Sequence, residues 1–402
     1  MINSPLVKPK PLYRQTYEWL RRSFLVSEAR VSLPDSDWEM YQLPFHSPSA
    51  RFFPAEKGYY APKLGGSSLN LNSGWFEGPM EEIVQISDDQ VEANQSFHYL
   101  LIKSQKIVRA PGAIILLHGL NEKDWAKYLP WAAKLVDITG KAVILFPVAF
   151  HVNRAFTAWH HPRLMDQLSQ RRQVLFQNMA ESSFTNAAIS TRLHFAPTRF
   201  FFSGLQTYHD IIGLVGSIRL GQVPYLEESA RIDFLGYSAG ALLAQILLMA
   251  NRNQLFDESR AVLFCGGPLL SRMHLTSRYI MDSEAHQAIR DFYVDNFDRN
   301  LEQDTHFSQR FYRAKKGGIY FKSMLSESYG LANHTRKQRL AELKGQLTAI
   351  ALAKDTIMPF SEIQASLVGL DGQVLVPCRC FDFPYDYTHM NPFPNLEKFS
   401  TK

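Results

Sequence analysis

Residues Arg231–Met249 read RIDFLGYSAGALLAQILLM. An apolar run at Ile232–Leu235 stops at Gly236, Tyr237-Ser238-Ala239-Gly240 follows, and an apolar helical stretch continues to Met249. The pattern is strand, tight turn, helix. A serine at the tip of such a turn projects its hydroxyl above the end of a sheet. Gly236 and Gly240, two residues to either side, lack a Cβ and let strand and helix close around the turn. The helix that follows presents unpaired N–H groups at its N-terminus, a favourable place for negative charge. The bare G-x-S-x-G spacing is short enough to arise as a coincidental turn; the strand before it and the helix after it give it meaning.

The same kind of strand recurs on both sides. Ala113–His118 (AIILLH), Ala142–Phe146 (AVILF), Ala261–Cys265 (AVLFC) and Leu347–Leu352 (LTAIAL) are short, continuously apolar runs rich in branched residues. Such runs fit strands buried on both faces of a parallel sheet. Helical patterns at Asp124–Ile138, Leu205–Ile218 and Ala239–Met249 lie between them. Strands alternating with helices predict an α/β fold with a doubly wound, mostly parallel sheet. A further strand is expected at Phe97–Ile102.

Two long stretches interrupt the alternation, 151–199 and 270–341. Long connections at strand ends in a compact domain are often caps over a site, the plainer reading being peripheral decoration. Ile289, Phe292, Tyr293 and Phe297 suggest an amphipathic helix in the second. Residues 1–94 are expected to form an N-terminal extension packed on a core domain, 95–402. Within it, Tyr13, Tyr17, Leu20 and Phe24 fall on one face of a helix over 12–25. Residues 30–75, rich in Pro, Ser, Gly and aromatics, read as irregular structure with short strands.

The bulk numbers agree with a globular chain. Of 402 residues, 46% are hydrophobic and 20% charged. No stretch approaches the roughly 20 apolar residues of a transmembrane helix. Met1–Pro11 has three prolines, two lysines and no apolar core, unlike a secretory signal. Three cysteines do not suggest a disulfide framework. Cys378 and Cys380 share one face of an expected strand, but no second pair accompanies them, so no metal site is expected. Reduced thiols in a cytoplasmic setting are the simpler reading. The net charge of +5 is a mild excess. Its densest clusters, Arg171–Arg172, Lys315–Lys316 and Arg336–Arg339, read as solvated faces rather than a nucleic-acid patch.

With these elements in place, the sequence resembles the α/β-hydrolase superfamily from about residue 95 to 395, outside the two insertions. Three landmarks carry the resemblance beyond the Ser238 turn. LLHGLN at Leu116–Asn121 matches the His-Gly after an early core strand, which implies that the backbone N–H of Leu120 is one oxyanion donor and that of Ala239, after the nucleophile, the other. The His118 side chain is read as ordering the loop. LTAIALAKDTIMP at Leu347–Pro359 places Asp355 in the loop where the superfamily often carries its triad acid. The alternative place, after the preceding strand, holds no Asp or Glu over Cys265–Thr276. Asp355 also reads as an N-cap of a helix over Ile357–Ser366, and Asp371, Asp382 and Asp386 are rivals. YTHMNPF at Tyr387–Phe393 supplies His389, the one histidine beyond Asp355. The resemblance thus implies Ser238, Asp355 and His389 as nucleophile, acid and base in the family's chain order.

Other residues have weaker claims. Trp159 and His160 are candidates for lining a pocket, with a packed or solvated turn the plainer reading. Gln206, Tyr208 and Asp210 read as the polar outer side of a helix on the sheet. The glycines of Cys265–Pro268 either keep a pocket floor open or make a simple turn. The expected activity is cleavage of a carboxylic ester or related acyl bond in a small, partly apolar substrate, without a cofactor. A catalytically silent binding fold, or an acyltransferase or C–C hydrolase with the same triad, are the alternatives.

Overall fold

The computed structural model describes residues 13–24, 30–32, 36–50, 63–64, 67–68 and 86–394. The expectations for Met1–Pro11 and for most of 51–75 lie outside them. One nine-stranded sheet organises the chain. Its strands are β1 (Arg30–Ser32), β2 (Trp38–His46), β3 (Ser96–Ser104), β4 (Ala110–Leu117), β5 (Ala142–Leu145), β6 (Leu226–Tyr237), β7 (Ala261–Phe264), β8 (Leu347–Leu352) and β9 (Cys378–Phe381). Their spatial order is β1-β2-β3-β5-β4-β6-β7-β8-β9. From β5 to β9 every pairing is parallel; β1, β2 and β3 join antiparallel at the other side. The N-terminal segment therefore does more than pack on the core. Its strand β2 pairs with β3 over its whole length, from Trp38↔Ser104 to His46↔Ser96.

Each apolar run expected as a buried strand is one. Along β4, Ile115 and Leu117 enter the core on one face while Ile114 and Leu116 enter the core on the other. This alternation is what a strand covered on both sides requires. Helices α1 (Tyr13–Phe24) and α2 (Leu129–Thr139) cover one face. On α1, Leu20 is buried and Trp19 meets Trp38 of β2 at 6.2 Å between ring centroids.

The other face is thicker. The first long connection contributes α3 (Pro162–Leu175) and α4 (Ala187–Phe195), and α5 (Thr198–Arg219) returns across the sheet. The elbow helix α6 (Ala239–Ala250) lies beside it. The second long connection adds α7 (Ser283–Arg290), α8 (Phe297–Gln303), α9 (Thr305–Arg313), α10 (Lys316–Ser323) and α11 (Gly330–Glu342). Helix α12 (Phe360–Ser366) precedes β9. Ile289, Phe292, Tyr293 and Phe297 are all buried, although a π-type turn at Asp291–Asp295 separates α7 from α8. Among the described residues no helix is long and apolar enough to cross a membrane.

This thick layer corrects three readings. Gln206, Tyr208 and Asp210 do not form an outer side, because α5 is covered above as well as below, and all three are buried. Arg172 is not on a solvated face: its guanidinium is fully buried against Asp282, donating from Nε and Nη2 at 2.8 Å each. Arg336 is buried too, with Nη2 donating to Asn333 Oδ1 at 2.8 Å and Nη1 to the Ser366 carbonyl. Both arginines fasten helices of the long connections in place.

Candidate active site

Strand β6 runs straight into the turn that carries Ser238. The serine has φ 55° and ψ −119°, a conformation that non-glycine residues rarely adopt. Neighbouring structure holds it there. Ser238 N–H donates to the Phe264 carbonyl at 3.0 Å, and its own carbonyl accepts from Ala241 N–H at 2.9 Å. The flanking glycines are required by contact. A Cβ on Gly240 would stand 2.1 Å from the Leu117 carbonyl oxygen, and one on Gly236 2.6 Å from the Ala241 Cα. Gly266 serves the same turn: a Cβ there would meet the Ala241 Cβ at 2.5 Å. It packs on the elbow and lines neither cavity described below, so the reading of a pocket floor gives way to one of close packing.

Three residues from distant parts of the chain meet at this turn. Ser238 Oγ lies 2.8 Å from His389 Nε2, and His389 Nδ1 lies 2.7 Å from Asp355 Oδ2. Ser238, Asp355 and His389 are only 3%, 4% and 3% exposed. A carboxylate at Nδ1 holds the ring proton there, which leaves the Nε2 lone pair facing the serine hydroxyl. The N-cap reading of Asp355 also holds in part. Its other oxygen, Oδ1, accepts from the N–H groups of Ile357 and Met358 at 2.9 Å each. One carboxylate oxygen thus pins the loop while the other orients the imidazole. Of the rivals, Asp382 accepts from the Tyr387 hydroxyl at 2.8 Å, Asp371 from Gln373 N–H at 3.0 Å, and Asp386 is exposed.

Several supports have no sequence motif to announce them. The His389 ring stacks on Tyr237, 5.5 Å between centroids, and the Tyr237 hydroxyl donates to the His389 carbonyl. Lys127 Nζ donates to the Met390 carbonyl at 3.2 Å and stands 4.7 Å above the Tyr237 ring. The buried Cys265 thiol is pushed up in pKa by burial and by the Asp355 carboxylate, which keeps it a neutral neighbour of the acid. Of these supports only Tyr237 lies within the elbow motif itself.

The loop after β4 completes the setting. His118 Nδ1 donates to the Gly119 carbonyl at 2.7 Å and its Nε2 accepts from Val148 N–H at 2.9 Å. Burial lowers its pKa well below the usual value, so this ring is a neutral strut. Gly119 N–H donates to the Tyr128 hydroxyl at 3.2 Å, and that hydroxyl donates to Glu122 Oε1 at 2.7 Å. Leu120 and Ala239 line one cavity that opens to solvent. Apart from that loop its wall is mostly apolar, with Leu242 and Ile246 from α6, Leu205 and Tyr208 from α5, and Phe321 from α10. A second cavity shares Leu120 and His151 with the first and is lined also by Trp159, His160, Lys123 and Arg192. Trp159 is itself buried under the Arg192 guanidinium, 4.0 Å from ring centre to Cζ.

The sheet order, the elbow after β6 and the position of the histidine beyond β9 define an α/β-hydrolase fold. Over residues 11–402 the sequence matches a family of unknown function, DUF6051, and the chain belongs to that family. No curated protein matches it in sequence. Among solved structures it is similar to carboxyl esterase 2 from the mycorrhizal fungus Tuber melanosporum, at 10% identity over 88% of this chain and 78% of that one, with a TM-score of 0.41. It is also similar to acetyl xylan esterase 1 from Thermoanaerobacterium sp., at 15% identity over 94% and 86%, TM-score 0.37. A third is the acetyl xylan esterase from Paenibacillus sp. R4, at 11% identity over 94% and 89%, TM-score 0.40. Likenesses this distant carry no information on substrate.

Proposed function

We propose that this chain is a serine hydrolase that cleaves a carboxylic ester or related acyl bond in a small, partly apolar substrate. The observation that carries the reading is the continuous hydrogen-bond chain from Ser238 Oγ through His389 to Asp355, at 2.8 and 2.7 Å. His389 Nε2 takes the Ser238 proton as Oγ attacks the acyl carbonyl, and the imidazolium then protonates the leaving group. Asp355 stabilises the imidazolium and holds its tautomer. The acyl-serine is released by water, whose proton passes to His389 and then back to Ser238. The negative oxygen of each tetrahedral intermediate rests on the N–H groups of Leu120 and Ala239, neither of which donates a hydrogen bond among the described residues. The apolar cavity beside those two residues suits an acyl chain, with the 151–199 and 270–341 connections acting as its cap.

A fluorophosphonate probe tests this. The wild-type protein is expected to be labelled at Ser238 and to release 4-nitrophenol from activated esters. Ser238→Ala is expected to lose labelling and to lower turnover by about 10⁴-fold or more. Labelling that survives Ser238→Ala places the nucleophile elsewhere, and no labelling of the folded wild type removes the hydrolase reading.

A further inference from the structure

The wall shared by the two cavities contains a histidine that the chemistry above does not use. His151 lines both cavities, together with Leu120. It is 8% exposed. Its Nδ1 donates to the Ala149 carbonyl at 2.9 Å, which fixes the tautomer. Burial, the largest influence, brings its pKa down to about 4, so the ring is neutral near pH 7. The remaining nitrogen, Nε2, is therefore a lone-pair acceptor, and it is buried with no hydrogen-bond partner among the described residues. Buried acceptors are rarely left unpaired, because an unmade bond costs the full desolvation of the group.

The backbone around it is held at a cost as well. Phe150 and Val152, the neighbours on either side, have φ of 64° and 51°. A β-branched residue there is a real outlier. Long-range bonds fix the segment. Phe150 N–H donates to Asn94 Oδ1 at 3.2 Å, Ala149 N–H to Thr207 Oγ1 at 3.0 Å and Val152 N–H to the Glu122 carbonyl at 3.1 Å. Such an arrangement presents one side chain in one orientation beside the Gly119–Leu120 loop, which the His118 ring, 5.4 Å from His151, also braces.

We infer that His151 Nε2 is a recognition point for a hydrogen-bond donor on the substrate, and that the substrate is an acyl compound carrying a hydroxyl near its scissile carbonyl. The hydroxyl donates to Nε2, and the rest of the chain occupies the apolar cavity. A site with a buried acceptor discriminates against the analogue that lacks the donor, because that analogue leaves the acceptor unpaired. That the bound compound is an acyl substrate rests on Ser238 being the nucleophile; that His151 Nε2 accepts from its hydroxyl does not, and the test separates the two.

Wild-type protein is assayed with 4-nitrophenyl octanoate and 4-nitrophenyl 3-hydroxyoctanoate, each rate divided by that of hydroxide hydrolysis of the same ester. The hydroxylated ester is expected to have the higher kcat/KM by about tenfold or more. In His151→Phe the ratio is expected to fall to near one, and in His151→Gln, which restores a side-chain acceptor, to recover in part. Binding of methyl octanoate and methyl 3-hydroxyoctanoate to Ser238→Ala, followed by the shift in melting temperature, reads the same preference without turnover. Preferential binding of the hydroxylated ester by a protein that hydrolyses neither nitrophenyl ester upholds His151 Nε2 as the recognition point and removes the hydrolase reading. Hydrolysis of both esters with a wild-type ratio within twofold of one overturns the inference and leaves the hydrolase reading standing. A preference unchanged in His151→Phe, or no differential in either assay, also overturns it.

Discussion

Among the segments that hold non-glycine residues at positive φ, those around Ser238 and His151 are built in opposite ways. Around Ser238 the tight conformation is made by removing atoms: Gly236 and Gly240 stand where a Cβ would strike backbone. Around His151 it is made by adding contacts. Arg154, fully buried, donates from Nη2 to Asp210 Oδ2 at 2.9 Å, from Nη1 to the Pro147 carbonyl at 3.1 Å and from Nε to Asn94 Oδ1 at 3.1 Å. Asp210 accepts in turn from Ser47 Oγ at 2.6 Å, and Asn94 is tied to Gln206 at 2.8 Å. The first device is local and belongs to the motif. The second joins residues more than 50 positions apart and depends on the whole fold being present.

The contrast can be broken most severely at the elbow site. Asp355→Asn keeps the loop's shape but offers the imidazole an amide instead of a carboxylate. Turnover is expected to fall about 10⁴-fold, as in triads where the tautomer is lost. The urea midpoint should change little by comparison, and a loss of less than tenfold in kcat would remove Asp355 from the acid's role.

The second segment should break in stability first. Arg154→Met leaves Asp210 charged and buried without its partner, and such breaks cost about 3–5 kcal/mol. Urea denaturation reads this directly. The double variant Arg154→Met, Asp210→Leu is expected to regain most of it, because no uncompensated charge remains. A single-variant cost below about 1 kcal/mol, the range of exposed pairs, would show that the pair does not hold the segment.

Tyr237→Phe is the smallest and sharpest change. It removes the hydroxyl that donates to the His389 carbonyl while leaving the ring under the imidazole. A cost of about 1 kcal/mol is expected, seen as a several-fold drop in kcat with little change in KM. A change in KM alone would argue that the tyrosine serves substrate binding instead.

What the sequence makes legible follows from the same contrast. The buried strands are visible because a strand covered on both faces has no choice but to be apolar. The Ser238 turn is visible because the elbow needs glycine at fixed offsets, and His389 stands out because, in the chain order that the resemblance implies, a single histidine lies beyond Asp355. Element ends are less visible. Helix α2 starts at Leu129, five residues after the expected start, and α5 starts at Thr198, seven before it. Asp355 shows why two sequence readings of one residue need not compete, since one oxygen accepts from Ile357 N–H at the helix start and the other faces His389 Nδ1, where the proposed acid would stand. The charged residues inside the thick helical layer were not legible at all. Arg172 finds Asp282 110 positions away, and no local pattern marks either as buried. The same holds for Gln206 and Asp210, whose polar character reads as solvent exposure until the connection above them is in place.

The histidine's place in the chain has a consequence for how the molecule fails. His389 lies 151 positions from Ser238 and follows β9, a four-residue strand at the rim of the sheet whose side chains are mostly exposed. Opening that rim would loosen the loop that carries His389, the proposed proton acceptor, and leave the elbow, cavity and core standing. Regions with few buried contacts open at far lower free energy than the core. On warming, turnover would then fade while most of the backbone is still protected from hydrogen exchange, and return on cooling, so activity gauges the hold on one edge of the sheet rather than the integrity of the fold.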